Sequence, residues 1–235
     1  MKIIGLIGGM SWESSIEYYR IINQQIREAL GGVHSARSAM VSVDFGEIEK
    51  LQVEGNWEEA TRIMVQCARD LEGVGADFVL ICTNTMHLMA DDVEKAIDIP
   101  LLHIADATAR AVKKTGLNRI GLLGTRFTME KDFYRGRLET AHGLRIIIPD
   151  EDGRALVHRV IYEELVQGNV IRESREGYLA VIQSLIDAGA EGIVLGCTEI
   201  GLLVKQEDVP LPVFDTMEIH ALAAVDAALG RYDLS

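Results

Sequence analysis

Cysteine and proline are both scarce, with three Cys and four Pro in 235 residues. Cys67, Cys82 and Cys197 form an odd set without a CxxC pair. That excludes a disulfide framework and a structural zinc site, and it reads as reduced thiols in a cytoplasmic protein. Positive charge is also in short supply: 23 Lys+Arg against 36 Asp+Glu leave a net charge of −13, with no Lys/Arg-rich stripe or basic arm. Nucleic-acid binding by phosphate neutralisation is therefore not expected, nor is docking on an anionic membrane. Long apolar runs are missing too. The first one extends only from Ile3 to Ile7 before Gly8 and Gly9, too short for a signal-peptide core or a membrane span. What is present is 48% hydrophobic and 25% charged residues. This is enough apolar side chain to offset the chain entropy of a compact soluble fold, and it excludes a disordered or collagenous chain. The length is awkward, since domains average roughly 100–200 residues.

An internal repeat resolves that. Lys2-Ile-Ile-Gly-Leu-Ile-Gly8 resembles Arg119-Ile-Gly-Leu-Leu-Gly124, with Gly5 and Gly8 each 116 residues before Gly121 and Gly124. The stretch Gly75 to Thr85 resembles Gly189 to Glu199 at an offset of 114, which sets Thr83 opposite Cys197. A third pair, Ile99 to Asp106 and Val209 to Asp215, follows at offsets of 110 and then 109. Three blocks in one order at nearly equal spacing predict two halves of similar fold. A solenoid repeat would be far shorter, roughly 20–50 residues.

Within each half, short Val/Ile/Leu runs alternate with helical patterns. Strands are predicted at 3–7, 40–43, 78–82, 120–123, 144–148 and 193–195. Helices are predicted at 13–30, 57–72, 87–96, 107–114, 129–141, 155–167, 172–188 and 217–228. Such alternation gives an α/β fold of two pseudo-symmetric half-domains, each a parallel sheet flanked by helices. The predicted bounds are 1–104 for the first half and 105–215 for the second. A C-terminal helix, 216–235, could pack back on the first half. Ligands of open α/β sheets sit beyond the carboxyl ends of the strands. Gly8-Gly9-Met10-Ser11, Thr83-Asn84-Thr85, Gly124-Thr125 and Cys197-Thr198-Glu199 all fall at such ends, so the site is expected in a cleft between the halves.

The glycine loops after the first and fourth strands match neither GxGxxG nor a P-loop. Their N–H groups could hold a small carboxylate, or the glycines could serve turn geometry alone. Thr83-Asn84-Thr85 offers hydroxyls and an amide suited to a zwitterion, or else caps the next helix. Cys197, at the mouth of a strand and the start of a helix, is in the setting that lowers a thiol pKa toward thiolate. Cys67, on an apolar helix face, reads as core. Cys82, one residue before Thr83, should face away and be buried. His87 could orient a hydroxyl or cap a helix, and His103 and Asp106 look like strand-end groups supporting a site. His34, His142, His158 and His220 read as surface or satisfied core residues. No grouping has metal-ligand spacing.

Two equivalent side chains reaching one substrate from opposite faces are what inverting a stereocentre without a cofactor requires. GLIGGMSWES, Thr83-Asn84-Thr85-Met86-His87, GLLGTRFTM, Gly196-Cys197-Thr198-Glu199 and VPLPVFDT resemble the cofactor-independent aspartate/glutamate racemases, relatives of the hydantoin racemases and arylmalonate decarboxylases. The resemblance covers essentially the whole chain. The family's first loop typically reads Cys-Asn-Thr-Ala-His, so Thr83 here occupies a cysteine position, while the second loop is intact. The sequence therefore resembles a Thr/Cys subgroup that favours L-substrates. The resemblance implies that Cys197 deprotonates an L-amino acid, L-glutamate or L-aspartate first, and that Thr83 reprotonates the opposite face. It implies that Met10, Asn84, Thr85, Thr198 and Glu199 line the substrate, with Gln52 toward its side-chain end. Acidic-substrate members often carry an arginine there and a lysine near the segment Ile161 to Leu165, and neither is present. No cofactor and no metal are implied, and the expected assembly is a homodimer. Two alternatives remain: an arylmalonate-type decarboxylase using Cys197 alone, and a catalytically silent binder of small carboxylates.

Overall fold

The computed structural model describes residues 1–234, which divide into two compact units. The first is Met1–Ile104 together with the segment from His220 onward, and the second is Ala105–Ile219.

The first unit is built on a three-stranded parallel sheet of β1 (Ile4–Gly8), β2 (Ser38–Ser42) and β3 (Phe78–Ile81), in the order β2-β1-β3. A single parallel bridge, Val79 to Leu101, extends it beyond β3. β1 and β3 are buried along their whole length, as expected of apolar runs covered by helices on both faces. α1 (Trp12–Leu30) is started by Ser11, whose hydroxyl accepts the Ser14 N–H, and it buries Tyr18, Ile22 and Ile26. α2 (Phe45–Glu54) runs from an Asp44 cap to Gly55 in the left-handed conformation. α3 (Trp57–Gly73), a 3-10 turn (Thr85–Met89) and α4 (Ala90–Ala96) complete this set.

The second unit repeats the plan. After α5 (Ile104–Lys114), strands β4 (Arg119–Gly124), β5 (Arg145–Ile147), β6 (Gly192–Gly196) and β7 (Val213–Asp215) form a parallel sheet in the order β5-β4-β6-β7. Its helices are α6 (Arg126–Glu130), α7 (Arg135–Thr140), α8 (Glu151–Glu163), α9 (Arg172–Asp187), the four-residue α10 (Ile200–Leu203) and α11 (Thr216–Ala228). The last turns of α11 belong to the first unit, where the Lys2 N–H donates to the Ala228 carbonyl at 3.0 Å. The α/β class with two parallel sheets is thus as the sequence predicts. Among the described residues, no helix is long and apolar enough to cross a membrane.

Several elements differ from expectation. The helix predicted over 129–141 is two, because Lys131 is extended and Tyr134, wholly buried, turns in to donate to Thr108 Oγ1 at 3.4 Å. The pattern at 155–167 begins earlier, at an Asp150 cap, and breaks into a 3-10 turn before left-handed Gly168. His87 starts no α-helix but lies inside the 3-10 turn. The sequence pattern predicts no element at α2, α10 or β7.

Candidate active site

In the first unit the site residues hang from the carboxyl ends of β1 and β3. Gly9 takes φ +91°, and a Cβ there would lie 2.2 Å from the Val43 carbonyl oxygen, so only glycine fits the turn out of β1. The Gly9 N–H donates to Ser15 Oγ at 2.8 Å, and Ser15 Oγ donates to the Ser11 carbonyl at 2.9 Å. These donors are spent inside the loop, so the turn-geometry reading of Gly8-Gly9 holds for Gly9. Met10 is buried and belongs to the same core cluster as Ile48 and Met86. Gln52, expected in a polar segment, lies instead on α2 with its Nε2 3.2 Å from Met86 Sδ. Gln52 is thereby tied to Met86, three residues after Thr83.

Two residues beyond the end of β3, Thr83 is partly buried, while Asn84 and Thr85 are buried at 2% and 5% exposure. Asn84 stands at the head of the 3-10 turn but its side chain makes no capping bond, so capping does not account for it. Cys82 faces away into the core with no exposed surface, and burial raises its thiol pKa far above the usual range. Ser14 Oγ lies 3.5 Å from its carbonyl oxygen. Cys67 is core, as expected.

In the second unit the corresponding place is two residues past Leu195. Gly196 makes it possible: a Cβ there would sit 2.8 Å from the Leu123 carbonyl oxygen and 2.9 Å from Leu122 Cδ1, so β4 and β6 converge only over glycine. Cys197 Sγ donates to Glu199 Oε2 at 3.0 Å, and Thr198 Oγ1 donates to the same oxygen at 2.8 Å. All three residues are buried, Cys197 at 9% exposure and the others at 4%. One carboxylate oxygen thus collects a thiol and a hydroxyl donor within three consecutive residues.

Thiolate character is where the structure corrects the sequence. Burial raises the Cys197 pKa well above its ordinary value, the Glu199 carboxylate raises it further, and Asp215 adds to the effect. The helix that follows is only four residues long, too short for its dipole to offset burial and the neighbouring carboxylates. Cys197 therefore rests as a thiol, with Glu199 positioned to receive its proton.

Tyr178, on α9, was not anticipated. It is wholly buried, donates to the Val157 carbonyl at 2.9 Å, and has its pKa raised chiefly by burial. Nothing in its apolar helical pattern distinguishes it from an ordinary core tyrosine. Glu164 is itself buried at 8% exposure, with Oε1 on Arg159 Nη1 at 3.3 Å.

Other candidates are engaged elsewhere. The Arg126 N–H points to His158 Nδ1 on α8 at 3.2 Å, and Thr125 Oγ1 accepts the Thr128 N–H, so these donors of the second glycine loop are engaged within the protein. Asp106 is no support for the site: it is on α5, clamped by Nε and Nη2 of Arg137, each at 2.8 Å, and by His142 at 2.7 Å. Burial alone would raise its pKa, but Arg137 and His142 outweigh that and hold it low. Asp215 ends β7 and caps α11 through the Met217 and Glu218 N–H groups. His87, His103 and His220 are buried together at 1%, 3% and 0% exposure, whereas His34 is exposed.

A polar loop after a buried parallel strand, present in each of two α/β units, is the arrangement of the two-unit racemase class. The Asp/Glu/hydantoin racemase family model matches residues 7–224, and the chain belongs to this family. It is similar to a proposed Asp/Glu racemase from Yersinia pestis of known crystal structure, at 55% identity and a TM-score of 0.92, covering 97% of this chain and 100% of that one. An aspartate racemase homologue from Pyrococcus horikoshii OT3 follows at 35% identity and a TM-score of 0.84, with the same coverage. The broad specificity amino-acid racemase of Bacillus subtilis (strain 168) is 21% identical over 179 residues, 73% of this chain and 74% of its own length. As a racemase-family member the chain is an isomerase acting on amino acids.

Proposed function

We propose that the chain racemises a free amino acid by a two-base mechanism, with Cys197 and Thr83 serving opposite faces of Cα. The observation that carries this is the Sγ to Glu199 Oε2 contact of 3.0 Å, in the loop after β6 that repeats the Thr83 loop of the other unit. A resting thiol beside a carboxylate is a base in waiting. Glu199 takes the Sγ proton, and the thiolate then abstracts the α-proton of the L-substrate, becoming a thiol again. The Thr83 hydroxyl gives its proton to the opposite face of the carbanion and recovers one from solvent, while Glu199 releases to solvent the proton it took, which restores the resting enzyme. A threonine hydroxyl donates more readily than it abstracts, so turnover from the L side is favoured.

L-Glutamate and L-aspartate are the first substrates to test, and Met10, Gln52, Asn84, Thr85, Thr198 and Glu199 are the residues proposed to contact them. The broad specificity of the Bacillus relative supports a wider panel. No cofactor enters this chemistry. A homodimer in the cytoplasm is the assembly that the resemblance implies. The test is a panel of L-amino acids in D2O, followed by proton NMR and chiral analysis. Loss of the α-proton signal with appearance of D-product supports the reading. No exchange with any member contradicts it, and carbon dioxide release from a disubstituted malonate would point to decarboxylation instead.

A further inference from the structure

Behind the Thr83 loop, within the first unit, two buried imidazoles hold opposite tautomers. His87 Nδ1 is 2.8 Å from the Thr83 carbonyl oxygen; a carbonyl only accepts, so Nδ1 carries the hydrogen. His87 Nε2 receives the backbone N–H of Ile104 at 3.2 Å, so that nitrogen is bare. His220 is arranged the other way. Its Nε2 donates to the Leu102 carbonyl at 2.8 Å, and its Nδ1 accepts the Tyr18 hydroxyl at 2.8 Å. His103 lies between these contacts in sequence and packs on His87 with ring centroids 4.5 Å apart. Protonating His87 would set a second N–H against that of Ile104, so the arrangement holds only for the neutral ring.

The backbone explains why a side chain is needed here. An α-helical turn would aim the His87 N–H at the Thr83 carbonyl, but the 3-10 pitch sends it to the Asn84 carbonyl at 3.1 Å. The imidazole supplies the donor that the backbone has diverted. We infer that His87 is a positioning residue that fixes the Thr83 backbone, and hence the direction of its hydroxyl, from an anchor made by His220, Tyr18 and the 102–104 segment. This rests on the reading of Thr83 as the proton donor to the D face. Misplacing a reacting group by about 1 Å is enough to cost on the order of 10²-fold in rate.

Two substitutions separate the ends of the tether. In His87→Asn the amide nitrogen falls where Nδ1 was and keeps the Thr83 contact. In His87→Gln the amide reaches Ile104 and leaves Thr83 unheld. The experiment measures initial deuterium incorporation at Cα from each enantiomer of the best panel substrate, for wild type, both His87 variants and Thr83→Ala. His87→Gln is expected to lower D-side exchange about tenfold or more relative to L-side exchange, with His87→Asn closer to wild type. Equal loss from both sides in His87→Gln, or no loss, overturns the inference while leaving the role of Thr83 intact if Thr83→Ala abolishes D-side exchange. D-side exchange that survives in Thr83→Ala, or no exchange by wild type, defeats the underlying reading and the role of His87 with it. Long-range 15N NMR of the wild-type protein gives a check free of activity: His87 protonated on Nδ1 and His220 on Nε2. The reverse pattern at His87 contradicts the tether outright.

Discussion

Cys197 donates its thiol hydrogen to Glu199 Oε2 across 3.0 Å, two residues along the same loop. This contact has opposite effects on resting state and reactivity. The carboxylate keeps the sulfur protonated, yet it is also the nearest acceptor for the proton that must leave before the sulfur acts as a base.

Replacing Glu199 separates those effects. In Glu199→Gln the negative neighbour is gone, so the Cys197 pKa falls and iodoacetamide alkylation begins at lower pH than in wild type. Racemisation is expected to drop by about 10²-fold, the range for a lost proton acceptor. Alkylation that shifts to higher pH would show that the carboxylate does not raise the thiol pKa.

Gly196→Ala tests the close approach that delivers Cys197. The new Cβ would lie 2.8 Å from the Leu123 carbonyl oxygen, which is backbone and cannot rotate away. Stability to urea is expected to fall by about 1–3 kcal/mol, with activity falling further than stability alone requires. A variant as stable and active as wild type contradicts the role assigned to this glycine.

His220 makes stability depend on pH. Burial holds its folded pKa at about 4 against an ordinary 6.5. Below pH 6.5 the unfolded chain binds a proton that the folded chain refuses until about pH 4. The contribution is therefore whole above pH 6.5 and lost between those values, a change of roughly 3 kcal/mol at about 1.36 kcal/mol per pH unit. His220→Gln should start less stable and lose less between pH 7 and 4.5 in urea titrations. Parallel slopes for the two proteins would exclude the buried neutral ring.

Much of this was legible in the sequence, and the exceptions have causes. The repeat was visible because buried parallel strands are nearly pure apolar runs, so Gly8 and Gly124 align without a structure. The Asp44 and Gly55 caps of α2 were also present in the sequence, but ten mixed residues between them carry little apolar periodicity. The break at Lys131 follows from the burial of Tyr134 against Thr108, a tertiary demand invisible to local pattern. The Cys197 loop itself could be found from sequence. Its protonation state could not, because that depends on how deeply the loop is buried and on which way Glu199 turns.

Thr83→Cys tests the asymmetry between the two loops. A thiol abstracts protons far more readily than a hydroxyl, so D-side exchange should rise about tenfold or more while Cys197 still serves the L side. Unchanged D-side exchange would mean that residue 83 does not face the reacting carbon.

The most direct test of the central claim is α-proton exchange from the L-enantiomer in D2O by wild type and Cys197→Ser, followed by proton NMR with folding verified by circular dichroism. The account predicts steady deuterium incorporation and D-product for wild type and none from the L side for the folded variant. Exchange by Cys197→Ser at the wild-type rate would contradict it and place the base elsewhere.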